Sequence, residues 1–232
     1  MSLFGPNKDK KLVNAVFGGD YAQAAELIAQ GANPNAITPK KEPLPIHLAR
    51  MPDAVRLRFL LDHGGDPNVT ADGGGTALIF SSANGGFDCV RVLLEKGARV
   101  NACDRTGLSP LMSAAHMGHD QIVRELLSAS ASMEFRDQKG YTALMFAAQG
   151  QQLTCVQSLI QAGADVNAVA IDCSTPPMFA AQFGSVTIVK ALVEAGAGLA
   201  ARGKHCFTVL GLAKHSGNGE LETYLMYKGA VP

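Results

Sequence analysis

The chain has 232 residues, 47% of them apolar, with 20 Lys+Arg against 20 Asp+Glu and a formal net charge of zero. That balance argues against a nucleic-acid binder, which carries a basic face, and no apolar run approaches the roughly 18–20 residues of a membrane span. Met1–Lys11 lacks the apolar core of a secretory signal, so the expected setting is cytoplasmic, with a periplasmic or secreted protein as the alternative if a signal segment has been removed.

Met1–Asn7 reads as a loose lead-in broken by Gly5-Pro6. Residues 8–37 follow as a first two-helix unit, LVNAVFGGD then YAQAAELIAQGA, with Lys10 and Lys11 where later units open on a hydroxyl residue. This is the pattern of an N-terminal cap, whose outer face meets water. The short runs Lys8–Lys11 and Lys40–Lys41 are expected to be solvated surface, being well below the charge blocks that mark interaction tails.

In the second unit, 38–70, the stretch Ile37–Pro45 carries three prolines. Since proline cannot donate to a β ladder, the expectation is an irregular loop one residue longer than its sisters. A one-residue deletion at Met51-Pro52-Asp53, with a proline-shaped turn, would offset it. The third unit, 71–103, opens on Gly73-Gly74-Gly75. The chain continues Thr76-Ala77-Leu78 and lacks the Gly-Lys-Ser/Thr ending of a phosphate loop, so this is read as a hairpin tip.

Units 104–136, 137–169 and 170–202 are the most regular, and Gly140–Val169 shows the whole pattern. Thr142 caps a helix over 143–149 by offering its hydroxyl to an orphan backbone N–H. Gly150-Gln151-Gln152 breaks the chain, and a second helix over 153–161 places Val156, Leu159 and Ile160 on one face. Gly163 then supplies a left-handed residue. The last unit, 203–232, puts Lys214 and Glu222 at sites that are alanine and valine elsewhere, as a C-terminal cap should. The chain ends within a residue or two of the period and is expected to be a whole protein.

The copies are 33 residues apart. The helix-opening hydroxyls are Thr76, Ser109, Thr142, Thr175 and Thr208. The glycines ending the second helices are Gly31, Gly64, Gly97, Gly163, Gly196 and Gly229, with Ser130 substituting once, and asparagine follows at Asn35, Asn68, Asn101 and Asn167. Repetition at this length marks units that cannot bury an apolar face alone. The motifs SPLMSAAHMGHDQIVRELL (Ser109–Leu127), TALMFAAQG (Thr142–Gly150) and GADVNA (Gly163–Ala168) resemble ankyrin repeats. The resemblance covers essentially the full length as about seven units. It implies an all-α solenoid of stacked helix-turn-helix units with short β-hairpin loops, forming one domain over 1–232 without catalysis of its own. The family's histidine position is filled by Met112, Met145 and Met178, which are read as core filler, and is kept as His47 in the second unit.

No chemistry emerges from the motifs. His116 and His119 are separated by a turn at Gly118, and a zinc site needs three or four convergent ligands. Neither a His-Glu-x-x-His helix nor a Gly-x-Ser-x-Gly elbow occurs. Cys89 and Cys155 are expected to be core residues. Cys173 and Cys206 replace a turn glycine one repeat apart, and neighbouring elements about 8–10 Å apart are too far for a disulfide. No cofactor, metal or catalytic residue is assigned.

In ankyrin arrays the partner meets the hairpin tips and the exposed ends of the first helices. Carried to this chain, the resemblance implies a concave strip from the third to the last unit. Its tips hold Arg105, Leu108, Lys139, Tyr141, Ile171, Lys204, His205 and Phe207. Its helix ends hold His116, Met117, Gln149, Gln182 and Phe183. The strip is rich in Met and aromatic side chains, which interface centres prefer. The expected function is non-catalytic binding of another protein by a chain that is monomeric alone. The alternative is an inhibitor or immunity protein that plugs a partner enzyme with Tyr141, Phe207 and the Thr38–Pro45 loop.

Overall fold

Among the described residues, fourteen short helices, each of seven to eleven residues, carry the fold. Helices this short are marginal alone, because isolated helices need about 12–15 residues to persist in water, so tertiary packing must hold them. The computed structural model describes residues 8–203 and 207–231. The chain folds as two compact units, Met1–Arg105 and Thr106–Pro232. The first contains α1 Lys8–Gly18, α2 Tyr21–Ala29, α3 Leu44–Arg50, α4 Ala54–Asp62, α5 Ala77–Ala83 and α6 Phe87–Glu95. The second contains α7 Pro110–Met117, α8 Asp120–Ser128, α9 Ala143–Gln149, α10 Leu153–Gln161, α11 Pro176–Gln182, α12 Val186–Glu194, α13 Val209–His215 and α14 Gly219–Tyr227. No strand occurs among the described residues; the hairpins reduce to turns, with isolated bridges at Ile37–Pro43 and Thr70–Thr76.

The helix starts follow the hydroxyl register. Thr76 accepts the backbone N–H of Ile79 at 3.3 Å, Ser109 that of Met112 at 3.2 Å, Thr142 that of Met145 at 3.4 Å and Thr208 that of Gly211 at 3.1 Å. Such a cap stabilises a helix by about 1 kcal/mol. Thr175 occupies the same site without a side-chain cap bond.

In Thr106–Pro232 each first helix packs on the next, α7 on α9, α9 on α11 and α11 on α13, while α8 packs on α10 and α10 on α12. The close approach is made by Ala114-Ala115, Ala147-Ala148 and Ala180-Ala181, all fully buried. Met112, Met145 and Met178 are 1%, 0% and 3% exposed and fill the core beside them, as expected of the thioether series. At Gly150 a Cβ would stand 2.1 Å from the His116 carbonyl oxygen, so the backbones of adjacent repeats meet with no room for a side chain. Lys214 is exposed and Glu222 half-buried where their sisters are buried, consistent with a solvent-facing last repeat.

Met1–Arg105 follows the same plan, with α3 on α5 and α4 on α6 around Leu44, Ile46, Leu48, Leu57 and Leu60. Arg56 ties α4 to the end of α1, donating from Nε to the Val16 carbonyl at 2.8 Å and from Nη2 to that of Phe17 at 3.1 Å. These carbonyls belong to the last turn of α1, where a cation is favoured.

The second unit departs from the sequence reading. The α3 start at Leu44 is 33 residues before the α5 start at Ala77, and the turn at Met51-Pro52 aligns with Gly85, so there is neither an insertion nor a deletion. Ile46, and not His47, therefore takes the position of Met112 and its sisters, and His47 aligns with Phe80. The Ile37–Pro45 loop is also tight and not irregular. Thr38 donates to the Glu42 carbonyl and Leu44 to that of Ala36, both at 2.9 Å. Pro43 sits between these bonds, where no N–H is required of it. At the tip, Lys41 has φ 61° where Gly74, Gly107 and Gly140 stand in sister repeats, and Cys173 does so with φ 62°. A side chain in the left-handed region costs about 1–2 kcal/mol.

The repeated asparagines lace successive loops. Asn35 Oδ1 accepts the Asp66 N–H at 2.9 Å, Asn68 Oδ1 that of Arg99 at 2.8 Å and Asn167 Oδ1 that of Gly198 at 2.7 Å. Asn68 and Asn167 also donate from Nδ2 to the carbonyls of Gly97 and Gly196.

Cys89, Cys103, Cys155 and Cys173 are free thiols, and Cys206 lies outside the described residues. Burial pushes the Cys89 thiol up to about 12 and the Cys155 thiol to about 11 from an ordinary 9.0. Both raised values mean that the folded state holds these protons more tightly. The stability they contribute is present below pH 9 and lost as pH rises through 9 toward 12.

Two measurements follow from this packing. Iodoacetamide at neutral pH should label Cys173 and spare Cys89 and Cys155, and the denaturation midpoint should fall above pH 9, less steeply in Cys89→Val. By denaturant titration, Gly150→Ala should cost about 1–3 kcal/mol because the clash is with backbone. Gly163→Ala, whose added methyl meets only open space at φ 92°, should cost about 1–2 kcal/mol from the left-handed backbone alone.

Candidate partner-binding surface

Repeat geometry aligns the ends of the first helices. In Thr106–Pro232, Met117, Gly150, Phe183 and Ser216 are one period apart, so the same edge carries two large apolar side chains with a glycine between them. Met117 is 52% exposed and Phe183 45%. The uncharged Gln149 and Gln182 precede them, half-buried and exposed respectively. At the tips Ile171 is 75% exposed and Phe207 49%. Leu108 is half-buried, Lys139 is exposed, and Arg105, at the end of Met1–Arg105, is exposed with its backbone N–H donated to Gly73 at 2.8 Å. Lys204 and His205 lie outside the described residues.

The tips are tied to one another through backbone. Gln138 donates to the Thr106 carbonyl at 2.9 Å and Ile171 to that of Lys139 at 3.0 Å. Asp137 is turned inward, accepting the N–H groups of Lys139 and Tyr141 at 2.9 and 2.8 Å. Arg136 Nη1 bridges the carbonyls of Gly140 and Val169.

Tyr141 is not a projecting side chain. It is half-buried, edge-on to Phe179 at 4.9 Å between ring centroids and to Phe146 at 6.2 Å, and its hydroxyl donates to Asp172 Oδ2 at 3.3 Å. His116 continues the row, edge-on to Phe146 at 6.0 Å with Nδ1 3.3 Å from the Phe146 carbonyl oxygen. Burial foremost, then Asp172, raises the Tyr141 phenol above its ordinary 10.0. Each edge-to-face pair is worth about 0.5–1.5 kcal/mol beyond area burial, so an aromatic seam floors the strip. Of the three elements expected to insert into an enzyme cleft, Tyr141 is therefore held down, while Phe207 and the Lys40–Lys41 tip of the Thr38–Pro45 loop are exposed.

Phe146, Phe179 and the exposed Val169 were missed by sequence reasoning. Phe146 and Phe179 stand one period apart at the position of His47 and Phe80, which is the signal that could have found them. Exposed apolar side chains also occur elsewhere, at Met226 (54%) and Tyr227 (84%) on α14. His119 caps α8 without a side-chain cap bond, and His215 is exposed. Among the described residues no three His, Cys, Asp or Glu side chains converge on a metal-sized site, and no helix is long and apolar enough to cross a membrane. The exposed strip offers contact area and amide hydrogen bonds.

A family model for ankyrin repeats in three copies matches residues 12–104 and 99–170. No curated protein matches the chain.

The seam separates two roles that substitution can resolve. Tyr141→Phe, which keeps both ring contacts and loses the bond to Asp172, should cost about 0.5–1.5 kcal/mol, while Tyr141→Ala should cost about 2 kcal/mol, roughly half the loss for a fully buried ring. Met117→Ala, on the exposed edge, should leave the denaturation midpoint within about 0.5 kcal/mol of the parent.

Proposed function

Because the chain belongs to the ankyrin-repeat family, whose members are generally protein-interaction modules without catalysis, we propose that it binds a partner protein through the tip and first-helix edge of Thr106–Pro232. One observation carries this reading: Met117, Ile171, Phe183 and Phe207 are all between 45% and 75% exposed on that edge. Surface positions chosen for solubility are ordinarily charged, whereas interface centres favour Met and aromatic residues. The fold requires none of these four, since the core is closed beneath them by the alanine pairs and the methionine series. The aromatic seam gives the edge a rigid floor, so the exposed side chains are ordered before a partner arrives and less entropy is lost on binding.

The anchors are expected to dominate affinity, as a few side chains do in most interfaces. Met117→Asp, Ile171→Asp and Phe183→Asp combined should abolish capture of partner proteins by the immobilised chain, with far-ultraviolet circular dichroism unchanged. Singly, each should weaken binding by about 30-fold, the equivalent of a 2 kcal/mol hot spot. Capture that survives the triple change places the partner on another face.

A further inference from the structure

We propose that Met1–Arg105 carries a second docking surface, built from Lys10, Lys11, Lys40, Lys41, Phe17 and Met51, that takes an acidic polypeptide segment bearing large apolar side chains. It lies wholly within the first compact unit and uses no residue of the Met117–Phe183 edge.

The surface runs along the first helices, with lysines at their starts and apolar side chains at their ends. On α1, Lys10, Asn14 and Phe17 share a face at helical spacing, and the Phe17 ring lies edge-on to His47 of α3, 5.2 Å between centroids. His47 Nδ1 is 2.6 Å from Glu42 Oε1, and the other Glu42 oxygen takes Arg50 Nε at 2.9 Å. The Arg50 guanidinium in turn lies 3.6 Å from the centre of the Phe80 ring on α5. Met51, 59% exposed, ends α3, and the Lys40–Lys41 tip projects ahead of it.

Its charge is unbalanced. Glu42 is paired with Arg50 and His47, and Asp9, whose carboxylate accepts the Asn33 backbone N–H at 2.8 Å, offsets one lysine at most. Asp72, exposed on the next tip, offsets little of the remainder. Lys10, Lys11, Lys40 and Lys41 are all exposed, and among the described residues none of the four has an ion-pair partner. The field they create is that of a cation-lined edge facing water.

Three of these lysines are also placed against local preference. Lys10 and Lys11 occupy the first turn of α1, where the helix dipole disfavours cations. Lys41 occupies the left-handed tip site that sister repeats fill with glycine. All three are exposed and without an ion pair among the described residues, and residues that break local rules without structural return point to function. Carboxylates answer the lysines. At the other ends of the same helices Phe17, 36% exposed, and Met51 call for apolar side chains on the same segment, which a polypeptide supplies and a phosphate backbone does not.

The test uses the full chain and fluorescence anisotropy with labelled peptides of about 14 residues. The peptides share two Phe and two Leu and carry Glu/Asp, Gln/Asn or Lys/Arg at the remaining positions; an oligonucleotide of matching length completes the set. The acidic peptide should bind at least about tenfold tighter than its amide twin and weaken as sodium chloride screens the lysines. Lys10→Glu/Lys11→Glu should lower that affinity by about tenfold while raising the thermal midpoint, since glutamate suits a first helical turn. Lys41→Gly should do the same in smaller measure, so lost binding cannot be mistaken for unfolding. Met117→Asp/Phe183→Asp should leave peptide binding unchanged, which keeps this surface and the proposed edge of Thr106–Pro232 separately testable. Equal binding of acidic and amide peptides, indifference to the lysine substitutions, or tighter binding of the oligonucleotide would each overturn the proposal.

Discussion

Backbone contact between neighbouring first helices is the constraint that everything else obeys. In Thr106–Pro232 it is made by paired alanines with no exposed surface and by Gly150, whose missing Cβ leaves room for the His116 carbonyl. Any side chain larger than these would separate adjacent repeats and open the methionine-filled space beside them. Since no helix is long enough to persist alone, each exists because its neighbour does, and stability is distributed over nearest-neighbour contacts. The 33-residue register is the form this constraint takes in sequence, because a slipped repeat would present the wrong residue to the narrow gap.

What the constraint leaves free is the edge of tips and helix ends. There the two compact units diverge. Thr106–Pro232 sets uncharged and apolar side chains over rings that lock one another edge to face, and its tip carboxylates are absorbed by backbone N–H groups. Met1–Arg105 sets lysines around Phe17 and Met51 and hides Glu42 between His47 and Arg50. Both edges rest on the same scaffold, so the fold itself does not select between them; the chemistry of individual side chains does.

Much of this architecture was legible because its signals are local. Thr76, Ser109, Thr142 and Thr208 cap helices by bonding three residues ahead, and glycines such as Gly163 end them through backbone conformation, so both appear in sequence as fixed intervals. The second repeat was misread because Pro45-Ile46-His47 imitates the family's helix opening one residue out of place. The backbone resolved the matter through the Leu44 and Thr38 hydrogen bonds, to which the prolines are indifferent. Tyr141 was misread for a different reason. Its sequence position puts it at a tip, yet its ring lies inward because Phe146 and Phe179 come from two other helices, and that convergence exists only after the repeats stack. Exposure of Met117, Ile171, Phe183 and Phe207 agreed with expectation because their positions depend on the register alone.

The asparagine lacing has an implication for how force crosses the array. Asn167 clips its loop to the following one, but Glu134 and Ala200 stand at the corresponding places on either side of it. Those two junctions lack the asparagine clasp and are tied instead between helices, by Arg124 Nε donating to Ser158 Oγ at 3.2 Å across the first, and by Asn218 Nδ2 donating to the Gly184 carbonyl at 2.9 Å with Lys190 paired to Glu220 at 3.0 Å across the second. At these two places load between neighbouring repeats passes through the helices and not from loop to loop.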